Sequence, residues 1–172
     1  MNGATLVSDF RQLPLVQRAL RDVAERATDA SDLTEEIGNL LQVSTRDRFE
    51  TQTDPEGRRW QMLSAETVLA RAGGRRKVYT AKGGLRKPAA RKIAGMLTLV
   101  VEGILRDSIT HVAGPDFVEV GSNDQRARIH QFGGQAGRGR KVTIPARPYL
   151  GLSADDEAAI VAAAQDHLRG PL

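Results

Sequence analysis

Three histidines are the residues of this chain whose type could bind a metal ion or transfer protons. His111, His130 and His167 lie in three separate predicted elements. None has a partner at the spacing that zinc sites use, such as two histidines four residues apart with a glutamate between them. We therefore interpret all three as structural or surface histidines, and we predict no metal or cofactor site.

The other residue types that could support catalysis also lack the surroundings that catalysis needs. Asp155, Asp156 and Glu157 follow Ser153, and in the first turn of a helix such a group more often complements the helix dipole. Neither Ser108 nor Ser153 lies in a nucleophile elbow. The glycine–arginine stretch 137–140 has neither the glycine spacing nor the Lys-Ser/Thr of a phosphate-binding loop. We expect a protein without enzymatic activity.

The bulk composition narrows the class of protein further. The 172 residues include no cysteine, so disulfides, thiolate zinc sites and thiol nucleophiles are excluded. The most apolar run, 96–101, is far shorter than the roughly 18 residues that a membrane span requires. The N-terminus lacks the basic and then apolar pattern of a signal peptide. We expect one domain, 1–172, made in the cytoplasm and without a membrane partner.

Charge alternates in blocks along the chain. Residues 67–101 hold 9 basic and no acidic side chains, and 125–154 hold 6 basic and none acidic. The segments before, between and after these blocks carry net negative charge. Such alternation suits subunits that contact copies of themselves through complementary faces, at least as well as it suits binding to nucleic acid.

Two helices are predicted before the first basic block. The first spans about 13–27. The second spans 32–52 and is expected to start near Asp32, because Asp32 and Glu35 have capping-box spacing. Trp60, Met62 and Leu63 follow a turn and are expected to pack back on the second helix. The predicted buried stripe of the second helix consists of Leu33, Ile37, Leu40, Leu41, Ser44 and Arg48 or Phe49.

Together with the pattern of the remaining residues, these helices predict an α+β fold. Long N-terminal helices pack on a small antiparallel sheet, with a C-terminal helix and extended basic loops. Between its two glycine pairs, the segment 73–92 is interpreted as a two-stranded arm or a loop ordered by a partner. Further helices are predicted at 64–72, at 97–108 (as a helix or a helical turn), at 123–132 (ended by Gly133-Gly134) and after Ser153. The predicted sheet consists of a hairpin of 109–112 with 117–120 and a return strand at 142–144.

One stretch resembles a known family. It reads Gly121-Ser122-Asn123, then Ile129-His130-Gln131-Phe132-Gly133-Gly134, then Ile144-Pro145-Ala146-Arg147-Pro148-Tyr149-Leu150-Gly151-Leu152-Ser153. Upstream, Arg46 to Phe49, Asp54 to Gly57 with Trp60, and Leu105 to Ile109 fit the same pattern. This succession is similar to the phage virion morphogenesis (tail completion) family of Mu-like and related long-tailed phages. The segment 73–92 matches that pattern least.

The resemblance implies an assembly protein of the virion, acting where the tail meets the head. It implies a ring of subunits around the DNA passage, with six copies expected because tail tubes are commonly six-fold. The implied partners are further copies, the tail tube and the head connector. The resemblance implies no catalysis, and the family supplies no catalytic residues to carry over.

We predict that the interface with other subunits or partners uses basic and aromatic residues. Pro145 and Pro148 hold the chain extended, so that the guanidinium of Arg147 can bind a carboxylate or main-chain carbonyl, and with His130 brace a corner at the interface. The predicted interface residues are Arg75, Arg76, Lys77, Tyr79, Lys82, Arg86, Lys87, His130, Arg138, Arg140, Lys141, Arg147 and Tyr149. The alternative is nonspecific contact with DNA, although aromatic residues are few and no DNA-binding motif is visible.

Overall fold

The computed structural model describes residues 13–170. In chain order the helices are α1 (Leu13–Thr28), α2 (Ser31–Thr51), α3 (Ala65–Arg71), α4 (Arg75–Val78), α5 (Lys87–Ala94), α6 (Ile104–Asp107), α7 (Ala127–Phe132) and α8 (Ala154–Arg169). The strands are β1 (Ile109–Ala113), β2 (Val118–Ser122), β3 (Gly134–Ala136) and β4 (Val142–Ile144). This mixture of helices and short antiparallel strands confirms the predicted α+β class. No helix between 13 and 170 is long and apolar enough to cross a membrane.

The strands form two separate sheets, each of two antiparallel strands. In the first, β1 pairs with β2 from Ile109 opposite Ser122 to Ala113 opposite Val118. In the second, β3 pairs with β4. The prediction that 142–144 returns to the hairpin sheet was wrong, because the strand at 134–136 directly before it supplies a local partner.

Helix α2 lies at the centre and contacts the β1–β2 hairpin and α8. It starts at Ser31, next to the predicted start near Asp32, but it has no side-chain cap, so the predicted capping box was wrong. The Asp29 carboxylate accepts a hydrogen bond from the Ser31 amide instead, across the short connection from α1. The buried face comprises Thr34, Gly38, Thr45, Arg48 and Phe49, whereas the leucines and isoleucine of the predicted stripe are only half-buried.

Three aromatic rings form the middle of the main core. Phe49 packs edge-on against Trp60, with ring centroids 5.5 Å apart, and against Tyr149 at 5.1 Å. The same cluster contains Leu99, Leu105 and Ile109. Trp60 packs as predicted and donates a hydrogen bond from Nε1 to the Pro148 carbonyl. Met62 does not pack there, since 84% of it is exposed.

Helix α8 is fixed at its first turn. Ser153 and Asp156 form a capping box, in which each side chain accepts a hydrogen bond from the other's backbone amide. Asp156 is buried and also pairs with Arg48 of α2. Two further hydrogen bonds, both of 2.8 Å, join Arg48 to the carbonyls of Tyr149 and Gly151. One arginine therefore joins α2, the segment 149–151 and α8.

A second, smaller core lies under the first basic block. Val78 is buried with Ala72 and Ala89, and half-buried Leu69, Ile93 and Met96 pack against them. We call residues 65–96, which contain α3, α4 and α5, the basic module. Its 73–92 segment forms two short helices joined by a turn that the Tyr79–Leu85 bridge closes. It is therefore neither a two-stranded arm nor a loop without structure of its own.

Two predicted helices are shorter than the sequence pattern suggested. Residues 97–103 are irregular, and only Ile104–Asp107 is helical, after Gly103 with a φ of +79°. Helix α7 begins at Ala127 because Asp124 organises a turn through hydrogen bonds to the Arg126 backbone and side chain. It ends where predicted, at Gly133.

Candidate partner interface

The basic module displays seven of the predicted interface residues on its surface. Arg75, Arg76, Lys77, Tyr79, Lys82, Arg86 and Lys87 are all exposed. Val78 is buried beside them, so one short helix combines an apolar anchor with a row of cations. The Arg75 guanidinium lies 5.7 Å from the centre of the Tyr79 ring, and Arg86 donates from Nε to the Tyr79 carbonyl. These contacts give the basic surface a defined shape, with a shallow depression of about 610 Å³.

Three more predicted residues lie at a separate basic tip. Arg138, Arg140 and Lys141 are exposed on the short 3-10 turn that joins β3 to β4. Gly137 and Gly139 adopt φ angles of +77° and +72°, and Arg140 itself has a φ of +55°. Glycine permits this left-handed backbone, which keeps the turn tight and projects its cations into solvent.

The remaining three predicted residues lie together around the segment 144–149. The Arg147 amide donates to the His130 carbonyl over 2.7 Å. The Arg147 guanidinium donates to the carbonyls of Gln61, at 2.9 Å, and Met62, at 3.4 Å. The predicted corner is therefore braced within the subunit through main-chain carbonyls. Whether the corner also contacts another subunit stays a prediction.

Tyr149 belongs to the core of its own subunit. It has no exposed surface, and its hydroxyl donates to the Ala127 carbonyl over 3.2 Å. Burial, followed by the nearby charge of Asp124, raises the pKa of Tyr149 to about 12. The side chain can affect an interface only by holding α7 and the segment 147–150 in place.

A concave site appears where the basic module meets this corner. We call it the arginine groove; it has a volume of about 470 Å³, and its lining includes Met62, Leu63, Arg71, His130, Val142 and Arg147. An adjoining cleft of about 330 Å³ shares Arg71 and His130 and adds Arg126 and Glu102. Arg71 ends α3 and donates from Nη1 to the carbonyls of Leu97 and Thr98.

The groove carries positive charge that no carboxylate neutralises directly. In the described part of the chain, Arg71 and Arg147 form hydrogen bonds to neutral carbonyls and no ion pair. Burial lowers the pKa of Arg147, and the charge of Arg71 lowers it further. The pKa of His130 is lowered by burial and then by Arg147 and Arg126. Its Nδ1 is buried without a hydrogen-bond partner among the described residues.

Arg71 and Arg126 line these sites but were not predicted as site residues. Both were counted within the basic blocks, but nothing in their spacing separates them from the other arginines. Arg71 ends a helix in one block, and Arg126 precedes a helix in the other. Arg126 lies one helical turn before His130, whose amide donates to the Arg126 carbonyl. Only the tertiary fold brings Arg71 into the same groove as His130 and Arg147.

No metal site is assembled among residues 13–170. No three histidine, aspartate or glutamate side chains converge there in a way that could hold a metal ion. His111 binds Gln42 through Nδ1 and Glu35 through Nε2, at 2.9 and 3.1 Å, and so links the hairpin to α2. His130 lies in the groove, and His167 lies in α8.

Comparisons with known proteins agree with the resemblance seen in the sequence. The pattern of the phage virion morphogenesis family matches residues 12–169. "Putative capsid assembly protein G" of Escherichia phage Mu is 31% identical over 147 residues, which cover 84% of this chain and 83% of that protein. "Mu-like prophage FluMu G protein 1" of Haemophilus influenzae is 25% identical, with 86% of this chain and 84% of that protein covered.

A second Haemophilus influenzae protein matches more strongly over a shorter stretch. "Mu-like prophage FluMu G protein 2" is 52% identical over 65 residues, which is 38% of this chain. That match covers 47% of the relative, so the chain spans less than half of its length. No solved structure matches the chain.

Proposed function

Because the chain belongs to the phage virion morphogenesis family, we propose that it completes the tail of a tailed phage and joins that tail to the head. A structural role in phage assembly follows from the family itself. Within that role, we propose a tail terminator that forms a homo-oligomeric ring of six copies at the neck of the virion. The ring is assembled in the host cytoplasm and contacts the tail tube and the head connector.

The observation that carries this proposal is the basic module, an exposed cationic surface built on its own small core. Nine basic residues and no acidic ones lie between 67 and 101. The structure holds the exposed ones on two short helices and on the turn between them. Complementary charge directs protein partners to one orientation and speeds their association. A surface of this kind suits an adaptor between two protein assemblies, and the proposed function needs no catalytic group or cofactor.

Removing residues 73–92 tests the proposal. The deletion takes away α4, most of α5 and two of the three buried residues of the small core, but nothing from the main core. We expect the shortened protein to fold, as judged by a cooperative thermal transition, and phage carrying it to accumulate unjoined heads and tails. Normal infectious particles from the deletion phage would contradict the proposal.

A matched variant separates loss of charge from loss of the module. Arg75, Arg76 and Lys77 are exposed on α4, so changing all three to glutamine keeps Val78 and the small core. We expect the same failure of joining if the cations contact the partners. Normal joining by this variant together with failure by the deletion would assign the role to the shape of the module instead.

Nonspecific contact with DNA is a second candidate, favoured by the same nine cations. Each phosphate contact releases counterions, so binding would weaken steeply as salt increases. Tight binding of the purified protein to short duplex DNA at physiological salt, lost in the triple glutamine variant, would support this candidate. Ring-shaped particles that form without DNA would support the structural proposal.

A further inference from the structure

The arginine groove is built to receive a negatively charged group. Burying a cation without an anion is costly, and protein interiors normally compensate buried charges by pairing them. Arg147 is only 5% exposed, yet it and Arg71 bind only neutral carbonyls among the described residues. The Asp124 carboxylate, whose charge acts on His130, is already bound by Arg126, and Glu102 lines the adjoining cleft. The groove therefore has room for one more anion.

The walls of the groove show what kind of molecule carries that anion. Met62 and Val142 are exposed at its rim, and Leu63 lines it. A phosphate of duplex DNA could pair with half-buried Arg71, but the phosphate backbone offers no apolar surface to the rim. A protein segment with a carboxylate beside a large apolar side chain fits both the charge and the walls.

The chain itself presents such a segment at the tip of the β1–β2 hairpin. Asp116 is exposed and forms no ion pair in the described part of the chain, and the adjacent Phe117 is 47% exposed. The tip is well defined, because the Gly114 amide donates to the Phe117 carbonyl and Thr34 of α2 donates to the Gly114 carbonyl. Its shape is therefore fixed before any partner binds, which lowers the entropic cost of binding.

Tip and groove lie at opposite ends of the hairpin in one subunit. Ile109, at the base of the hairpin, belongs to the core cluster that also contains Leu105, a residue of the cleft adjoining the groove. The tip is four residues further along β1, or roughly 13 Å at about 3.3 Å per residue. A contact between them must therefore join two copies head to tail. Head-to-tail contacts generate rings when the rotation closes.

We propose that the hairpin tip of one copy inserts into the arginine groove of the next, with Asp116 against Arg71 and Phe117 against the apolar rim. This inference rests on the proposed homo-oligomeric ring and names the contact that forms it. Each copy then offers one tip and one groove, so the same contact repeats around the ring.

Single-cysteine variants test the contact directly, because the natural chain has no cysteine. Pro115→Cys places a thiol at the tip beside Asp116, and Met62→Cys places one at the exposed rim of the groove. On mild oxidation of an equimolar mixture, we expect disulfide-linked pairs that contain one chain of each variant. The control pairs Pro115→Cys with Asp166→Cys on the exposed surface of α8, and we expect it to give at least about tenfold less cross-linking.

Charge reversal provides an independent measurement. Asp116→Arg and Arg71→Glu should each weaken self-association at least about tenfold, and a mixture of the two should recover much of it. In the mixture, each reversed tip meets a reversed groove and each natural tip meets a natural groove. Arg71→Lys keeps the charge and serves as the control for the groove, and a thermal melt of each variant checks that it is folded. If Arg71→Glu does not fold, Asp116→Arg and Phe117→Ser on the exposed turn still test the contact, because each should weaken self-association without disturbing the core.

The outcomes separate this inference from the function on which it rests. If the natural protein forms rings and the tip variants form them equally well, the inference is overturned and the proposed function stands. If the natural protein binds tails only as single, separate copies and forms no ring, both the inference and the proposed function are overturned. If Arg71→Glu loses DNA binding but keeps self-association, the groove binds nucleic acid and the inference is overturned.

Discussion

At the scale of single residues, the family pattern in the sequence is a pattern of core contacts. Arg48, Phe49, Trp60, Tyr149 and Gly151 all belong to the recognisable stretches, and they converge in space. Phe49 and Tyr149 pack together, Trp60 bonds to the neighbouring segment, and Arg48 binds carbonyls on either side of Leu150. These residues identify the family because they hold the fold, and they say little about which partner the surface binds.

Loss of Asp156 should be among the most destabilising changes in the chain. The carboxylate is only 4% exposed and neutralises Arg48, so Asp156→Ala leaves a buried guanidinium without its anion. Breaking a buried pair in this way costs about 3–5 kcal/mol, and we expect that loss in the free energy of unfolding from urea titration. Asp155→Ala, in the same helical turn but exposed, is the control and should cost less than about 1 kcal/mol.

The same carboxylate makes stability depend on acidity. Burial would raise the pKa of Asp156, but hydrogen bonds from Ser44 and Ser153 and the charge of Arg48 outweigh it and lower the pKa below its ordinary 3.8. The ionised group therefore stabilises the fold fully above pH 3.8, and this contribution is lost as the pH falls through the lowered value. We expect the natural protein to lose more stability than Asp156→Ala between pH 5 and 2, measured by thermal melting. Equal losses would contradict this assignment.

Gly133 should tolerate no side chain, for two separate reasons. Its φ is +71°, and a Cβ there would lie 2.8 Å from the Ala146 backbone nitrogen. Gly57 has a similar φ of +78° but open space around it, so Gly57→Ala measures the cost of the backbone angle alone. We expect about 1–2 kcal/mol for Gly57→Ala and clearly more for Gly133→Ala, by urea titration. Equal costs would show that the approach of residues 144–146 does not constrain this position.

At the scale of elements, local sequence patterns predicted the helices and the hairpin well. They could not predict contacts between elements that are distant in the sequence. The period of apolar residues located α1, α2 and α8, and the turn at 114–116 located the hairpin. The buried face of α2 differs from the predicted apolar stripe because Gly38 leaves room for the His111 ring. The face that contacts the hairpin therefore includes Thr34 and Thr45. The arginine groove could not be predicted, since its lining residues Arg71, His130 and Arg147 come from α3, α7 and the segment 142–147, which are far apart in the sequence.

The basic module should behave as a separate unit of stability. Val78 is its one fully buried large side chain, and its cluster shares no buried residue with the main core. Val78→Ala removes about 1.6 kcal/mol of burial, plus a cavity cost, from this small core. We expect faster amide hydrogen exchange within 65–96 and little change elsewhere. Leu105→Ala, in the main core, should instead lower the protection of the whole protein; a uniform effect of both variants would contradict two separate cores.

At the scale of the whole molecule, charge and shape agree with one kind of assembly. The scaffold of α2, α8 and the hairpin is held by buried contacts, including the Arg48–Asp156 pair. Clusters of further cations lie on the basic module, the tip at 138–141 and the arginine groove. The acidic segments lie elsewhere, so one copy presents surfaces of both signs. The proposed contact between hairpin tip and arginine groove would join such copies head to tail, and head-to-tail contacts generate rings when the rotation closes.

The most direct test of the proposed function is an image of the head–tail junction in particles that carry a labelled form of this subunit. We predict a ring of density at the neck with six labels around the DNA passage. In particles from phage lacking residues 73–92, heads and tails should remain separate. Label spread over the capsid shell, or absent from both assembling and finished particles, would contradict the proposal.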